Sequence, residues 1–189
     1  MLSILYHSTL YAWLAALLIN FPLLINKNSR VFNLQRLLNV GLAVLTCLTG
    51  FIGFLTQQTL TVNIPELFSI FTPSLSLNPI SSFFVFLTGL SYLGVSFFAL
   101  DYFRHFTKSQ QKKNHLFETI FVFSMLLVFI ANDSLTFLFS WELMAFASYF
   151  LVVSFEPSKK TRKAGFLYLG IAHIGFFAIV ISFYLLSLQ

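Results

Sequence analysis

Long apolar runs, broken by short polar stretches, fill this chain, and the runs have the length that a lipid bilayer demands. Six of them stand out, at 2–25, 37–55, 81–103, 114–131, 134–155 and 164–188. A helix needs about 20 apolar residues to cross a hydrocarbon core about 30 Å thick, so the pattern predicts an all-α, polytopic membrane protein with six transmembrane helices in one domain, 1–189. The fourth run is apolar only over 116–131, and its helix is expected to start earlier, near Lys112, leaving Glu118 in the first turns where it can reach the headgroups. The first run has no Lys or Arg before it and is too long for a cleaved signal peptide, so it is expected to remain as a span.

Two polar intervals carry structure of their own. The stretch 56–80 is rich in Ser, Thr and Pro, with alternation over Thr59, Leu60, Thr61, Val62, Asn63 and Ile64 and then a short amphipathic run to Phe71. A small external hairpin or an interfacial helix between the second and third spans fits this pattern. At Asn132-Asp133-Ser134 the chain can end one helix and cap the next, which makes spans four and five a close antiparallel pair.

Composition agrees with the pattern: 58% of the 189 residues are hydrophobic and 9% charged, and the mean hydropathy is +0.85. A soluble domain carries about a quarter charged residues, and so few could not cover a surface in water. The net charge of +5 suggests nucleic acid until its sources are located. All eleven Lys and Arg lie in 26–36, 104–115 and 156–163, and none in 56–80 or at 132–133. Six spans therefore put every positive charge on one side, the cytoplasmic side by the positive-inside rule, and both termini on the other. Nucleic acid is not an expected partner; the lipid bilayer is. Cys47 is the single cysteine, which excludes an intrachain disulfide and a thiolate metal cluster.

Most spans hold only Phe, Leu, Ile and Val with scattered Ser, Thr and Gly. Glu142 is the exception: nine residues after Asp133, it sits roughly 13 Å below the outer surface, near the middle of the membrane. An ionised, unpaired carboxylate there costs several kcal/mol. Such a residue is retained either for proton or ion movement or as a protonated hydrogen-bonding link between helices. His173 lies near mid-depth in the sixth span. If spans five and six are antiparallel neighbours, the two share a layer and make a proton-exchanging pair. The alternative for His173 is a hydrogen bond to the backbone carbonyl of a neighbouring helix. Gly170, Ala172 and Gly175 beside it are small enough for another helix to approach.

Asp101 ends the third span beside Arg104, where a solvated or paired interfacial charge accounts for it. Glu66, Asp133 and Glu156 lie in loops or turns and need no function, while Trp13 and Trp141 lie away from the predicted interfaces, Trp141 in the protein interior. Nucleotide-binding, nucleophile-elbow and metal-spacing motifs are absent, so no bound cofactor or metal and no catalytic site of the chain's own are expected.

The segment around Trp141-Glu142-Leu143-Met144, followed by Ser148-Tyr149, resembles the fifth-helix signature of the antiporter-like family. That family comprises the large proton-pumping subunits of complex I, subunits of multisubunit cation/proton antiporters, and membrane subunits of energy-converting hydrogenases. Lys163 to Leu169 with Ala172-His173-Ile174-Gly175 is similar to the sixth helix of the hydrogenase-4 component B and formate hydrogenlyase subunit 3 branch, and Ser81-Ser82-Phe83-Phe84 to the start of the third. Where that family usually has an Asp shortly before this Ser, the chain has Asn78. The resemblance implies that Glu142 is the acidic member of a buried proton-transfer site, with Trp141, Ser148 and Tyr149 in support.

Family members continue through about fourteen helices, with buried lysines in later ones; no lysine lies inside the six runs here. The expectation is the amino-terminal six-helix part of a non-redox subunit in an energy-converting oxidoreductase complex, with other membrane subunits, including a chain carrying the lysine-bearing helices, as partners. A monovalent cation/proton antiporter subunit and a structural membrane subunit without transport activity are the alternatives, and an intramembrane enzyme is a third.

Overall fold

A computed structural model describes residues 2–23, 29–63, 72–102, 106–155 and 158–188. Six helices run in order as α1 (Leu2–Leu23), α2 (Ser29–Thr56), α3 (Pro79–Tyr102), α4 (Lys108–Ile130), α5 (Ser134–Phe155) and α6 (Lys159–Ser187). All six are long and apolar enough to cross a membrane. Large apolar side chains stand outward along them, among them Ile4, Phe139, Phe166 and Ile174. Water would not tolerate such a surface, and lipid does.

Four helices start earlier than their apolar runs: α3 by two residues at Pro79, and by more α2 at Ser29, α4 at Lys108 and α6 at Lys159. Hydropathy marks the part of a helix that lies in lipid, whereas the helix itself begins where its first N–H groups are capped. Thr107 forms a capping box with Gln110 at the start of α4, and Ser158 accepts from the Thr161 N–H at the start of α6. The lysines of α4 and α6 consequently belong to the first two turns of the helices, at their basic ends, and Arg36 lies within α2 instead of a loop.

Between α2 and α3 the chain forms the hairpin, not an interfacial helix, over the described part: β1 (Leu60–Asn63) pairs antiparallel with β2 (Ser74–Leu77), Leu60 opposite Leu77 and Asn63 opposite Ser74. The amphipathic run to Phe71 lies outside the described residues. Gln57, with φ of 53°, turns the chain out of α2 in the left-handed conformation, its side chain donating to the Phe54 carbonyl. The hairpin is tied to the α4–α5 turn. Asn132 N–H donates to the Ser74 carbonyl at 2.9 Å, and the Ser74 N–H to Asp133 Oδ2 at 2.9 Å. Both loops without positive charge therefore lie at the same end of the helices.

The core lies among α1, α2, α3 and α4. Trp13, 1% exposed, donates its indole N–H to Thr46 Oγ1 at 2.9 Å and packs on Tyr92 and Phe123. Thr9 and Thr49 join α1 to α2 at 2.6 Å. Close approach of α2 and α3 needs two glycines: a Cβ on Gly50 would lie 2.6 Å from Phe86 Cα, and one on Gly89 2.7 Å from Cys47 Cα. By contrast α5 and α6 lie at the periphery, and Gly165 is the one buried residue of α6.

Candidate functional site

Asp133 sets the start of α5. Its Oδ1 accepts from the Thr136 N–H at 2.7 Å and its Oδ2 from Thr136 Oγ1 at 2.5 Å, the N-cap arrangement expected of the turn. Partial burial alone would raise the carboxyl's pKa, but the bonds from the Thr136 side chain and from the N–H groups of Thr136, Ser74 and Leu135 outweigh it and hold it below the usual carboxylate range. With that end fixed, Glu142 falls eight residues after Ser134, about 12 Å into the helix.

His173 stands at the midpoint of α6, and its Nε2 lies 3.4 Å from Glu142 Oε2. The two side chains are 33% and 19% exposed, so the pair sits at the α5–α6 seam with one flank open. His173 Nδ1 lies 2.8 Å from the carbonyl of Leu169, one turn back in its own helix instead of in a neighbour. A carbonyl only accepts, so Nδ1 carries a hydrogen and Nε2 is left facing the carboxyl. One proton shared between them leaves the pair neutral overall, as acid and imidazole or as carboxylate and imidazolium. The Phe146 ring meets the imidazole edge-on at 5.6 Å and fixes its plane.

The three supporting residues occupy the same helix without entering this contact geometry. Trp141 is half-buried and stacks on Phe137. Ser148 Oγ lies 2.8 Å from Tyr168 Oη, linking α5 to α6 about 9 Å along from Glu142. Tyr149 packs over Gly165 and meets Phe166 edge-on. At Gly170 and Gly175 an added Cβ would meet nothing within 4 Å, so the face prepared for a close neighbour is open among the described residues. Asp101 is exposed at the end of α3; its proposed partner Arg104, like Glu66 and Glu156, lies outside the described residues.

A second polar cluster escaped the sequence reading. Glu118, expected near the headgroups, is 8% exposed and eleven residues into α4, because the cap at Thr107 starts the helix well before the apolar run. Its Oε2 lies 3.7 Å from His115 Nδ1, and the buried Arg36 guanidinium of α2 is within electrostatic reach of both. Asn39 Nδ2 lies 3.2 Å from His115 Nδ1, Asn20 Nδ2 donates to Thr119 Oγ1 at 3.2 Å, and Ser154 of α5 bonds Asn114. Gln111, Asn114, His115, Glu118 and Thr119 are all buried. Their i, i+3, i+4, i+7, i+8 spacing is a one-sided helical stripe, the signal that could have found them.

Comparison with known proteins adds a distant relation. No protein-family model matches the chain. It is 34% identical over 119 residues to two uncharacterized proteins of Mycobacterium tuberculosis, from strains CDC 1551 and H37Rv, covering 60% of this chain and 17% of each relative. It is also 30% identical over 114 residues to hydrogenase-4 component B of Escherichia coli K12, again 60% of this chain and 17% of the relative. The chain thus spans less than a fifth of the length of the curated relatives it matches, and its similarity to hydrogenase-4 component B is that of a distantly related membrane protein.

Proposed function

We propose that this chain is a non-redox membrane subunit, or part of one, in an energy-converting hydrogenase or complex I-like oxidoreductase, contributing to proton translocation coupled to electron transport. The observation that carries the reading is the Glu142–His173 contact at 3.4 Å inside the membrane span. The similarity to hydrogenase-4 component B supports the kind of complex.

In this reading the Leu169 carbonyl keeps the proton of His173 on Nδ1, so Nε2 is always the atom that trades a proton with Glu142. Exchange within the pair leaves its net charge unchanged. Adding or removing a proton leaves the pair charged, which a low-dielectric surrounding resists unless an opposite or relieving charge approaches. A lysine on a helix of another membrane subunit, seated on the open flank of α5 and α6, would supply that charge and cover the pair. The lysines of α4 and α6 stand in the first two turns at the basic end and do not serve. On this reading the chain lies in the cell inner membrane, and the positive-inside rule supports basic loops on the cytoplasmic side with both termini opposite.

Glu142→Gln in the assembled complex tests the proposal. Insertion and assembly should persist while coupled proton movement is lost; unchanged pumping would remove the role given to Glu142. Sodium-dependent flux in place of proton flux would move the chain to the cation/proton antiporter subunits.

A further inference from the structure

Helices α3 and α4 touch sparsely and leave between them an open-sided groove of about 520 Å³. Its walls are apolar and aromatic, including Phe84, Phe98, Phe121 and Phe129, and several of them are exposed. Glu118 is the one acid in the lining. Tyr92, also in the lining and 3% exposed, turns its hydroxyl to within electrostatic reach of that carboxyl. Glu118 Oε2 has no hydrogen-bond partner among the described residues, whereas the Tyr92 hydroxyl has Ser96 of its own helix beside it. A buried carboxyl oxygen left unmatched is costly, of order 1–3 kcal/mol, unless a proton on the carboxyl joins it to a neighbour.

The residues on the other side of Glu118 show which neighbour that is. Asn39 Nδ2 can only donate, so its contact at 3.2 Å leaves His115 Nδ1 as an acceptor without a hydrogen of its own. Glu118 Oε2 faces the same nitrogen at 3.7 Å. Two acceptors face one another there unless the carboxyl carries a proton. The charged and titratable groups around Glu118 among the described residues are Arg36 from α2, His115 from α4 and Tyr92 from α3. The nearby α1 and α5 contribute the uncharged Asn20 and Ser154 to this stripe.

We propose that Glu118, set between Arg36, His115 and Tyr92, is a second proton-exchanging carboxyl, distinct from Glu142 and bordered by the groove between α3 and α4. By helix count it lies twelve residues from the Ile130 end of α4, about 18 Å, whereas Glu142 lies about 12 Å from the same face at Ser134. The two acids thus occupy successive depths, Glu118 the nearer to the basic end. The inference does not depend on the role proposed for Glu142.

A membrane-soluble carbodiimide tests it on the full chain in its membrane. The reagent needs a protonated carboxyl: the acid proton passes to a carbodiimide nitrogen, the carboxyl oxygen bonds the central carbon, and acyl migration from oxygen to nitrogen gives a stable N-acylurea with nothing else released or oxidised. Dicyclohexylcarbodiimide should enter the groove from lipid and leave this adduct on the peptide carrying Glu118. Labelling should be lost in Glu118→Gln, retained in Glu142→Gln, and increased in Arg36→Gln, where no cation favours the ionised form. A Glu118 that stays unlabelled at every pH from acidic to neutral, in wild type and in Arg36→Gln alike, would hold no exchangeable proton and would overturn the proposal. Loss of pumping in Glu142→Gln with this labelling intact would leave both readings standing separately.

Discussion

If Glu142 and His173 hold one proton between them, removing either should cost what removing both costs. The separation of 3.4 Å and the Nδ1 contact with Leu169 leave Oε2 to Nε2 as the polar link between α5 and α6 at this level, beside the Phe146 ring contact. Interhelical hydrogen bonds in membrane proteins are worth about 0.6 kcal/mol on average and up to about 1.7. The partial exposure of both side chains places this one near the average. A double-mutant cycle of Glu142→Ala and His173→Ala, which leave no group able to make the bond, read by unfolding in mixed micelles, should give a coupling of about 0.6–1.5 kcal/mol. Independent sites add within about 0.3–0.5 kcal/mol, so a coupling below that range would mean that the two groups do not interact and would refute the reasoning. The same cycle run on proton flux should show the double variant no worse than the poorer single one, as for residues that act as a unit.

Other expectations follow from the packing and the caps. Gly89→Ala places a Cβ against the backbone at Cys47 and should destabilise by about 1–3 kcal/mol, while Gly94→Ala, with nothing within 4 Å, should be neutral or slightly stabilising in the same unfolding assay. Because hydrogen bonds hold the Asp133 carboxyl below its usual range, its contribution is fully present above the unfolded value and is lost as pH falls through the lower folded one. Unfolding measured against pH should show that acid-side loss in wild type and not in Asp133→Asn. With Cys47 replaced, single cysteines introduced at the exposed positions Thr59 and Lys160 should react with an impermeant thiol reagent from opposite sides of the membrane; labelling from one side would refute the six-span order.

The spans were legible because lipid imposes one requirement on every helix, an apolar length, and the runs state it directly. Helix starts were not, since Lys108 and Lys159 are polar residues in α-helices, and only the caps at Thr107 and Ser158 mark where the N–H groups are satisfied. Glu142 and His173 could be paired from depth because one short connection makes α5 and α6 antiparallel and both residues stand alone among apolar neighbours. Glu118 was misplaced for the converse reason. It lies among Lys112, Asn114 and His115, a polar neighbourhood that reads as a loop, and its burial depends on α1, α2 and α3 converging on that face. Arg36 was assigned to a loop by the same rule of composition.

The clasp between the hairpin and the α4–α5 turn has a consequence for the order in which the molecule is assembled. Ser74 is made 59 residues before Asp133, the partner that binds its N–H. During synthesis the loop after α2 must wait, its polar backbone facing water, until two further helices have crossed the bilayer and the first turn of α5 has emerged beside it. Only then can the strand edge be stitched to its distant partner, so the clasp works as a late fastening that closes on chains whose earlier insertions were correct.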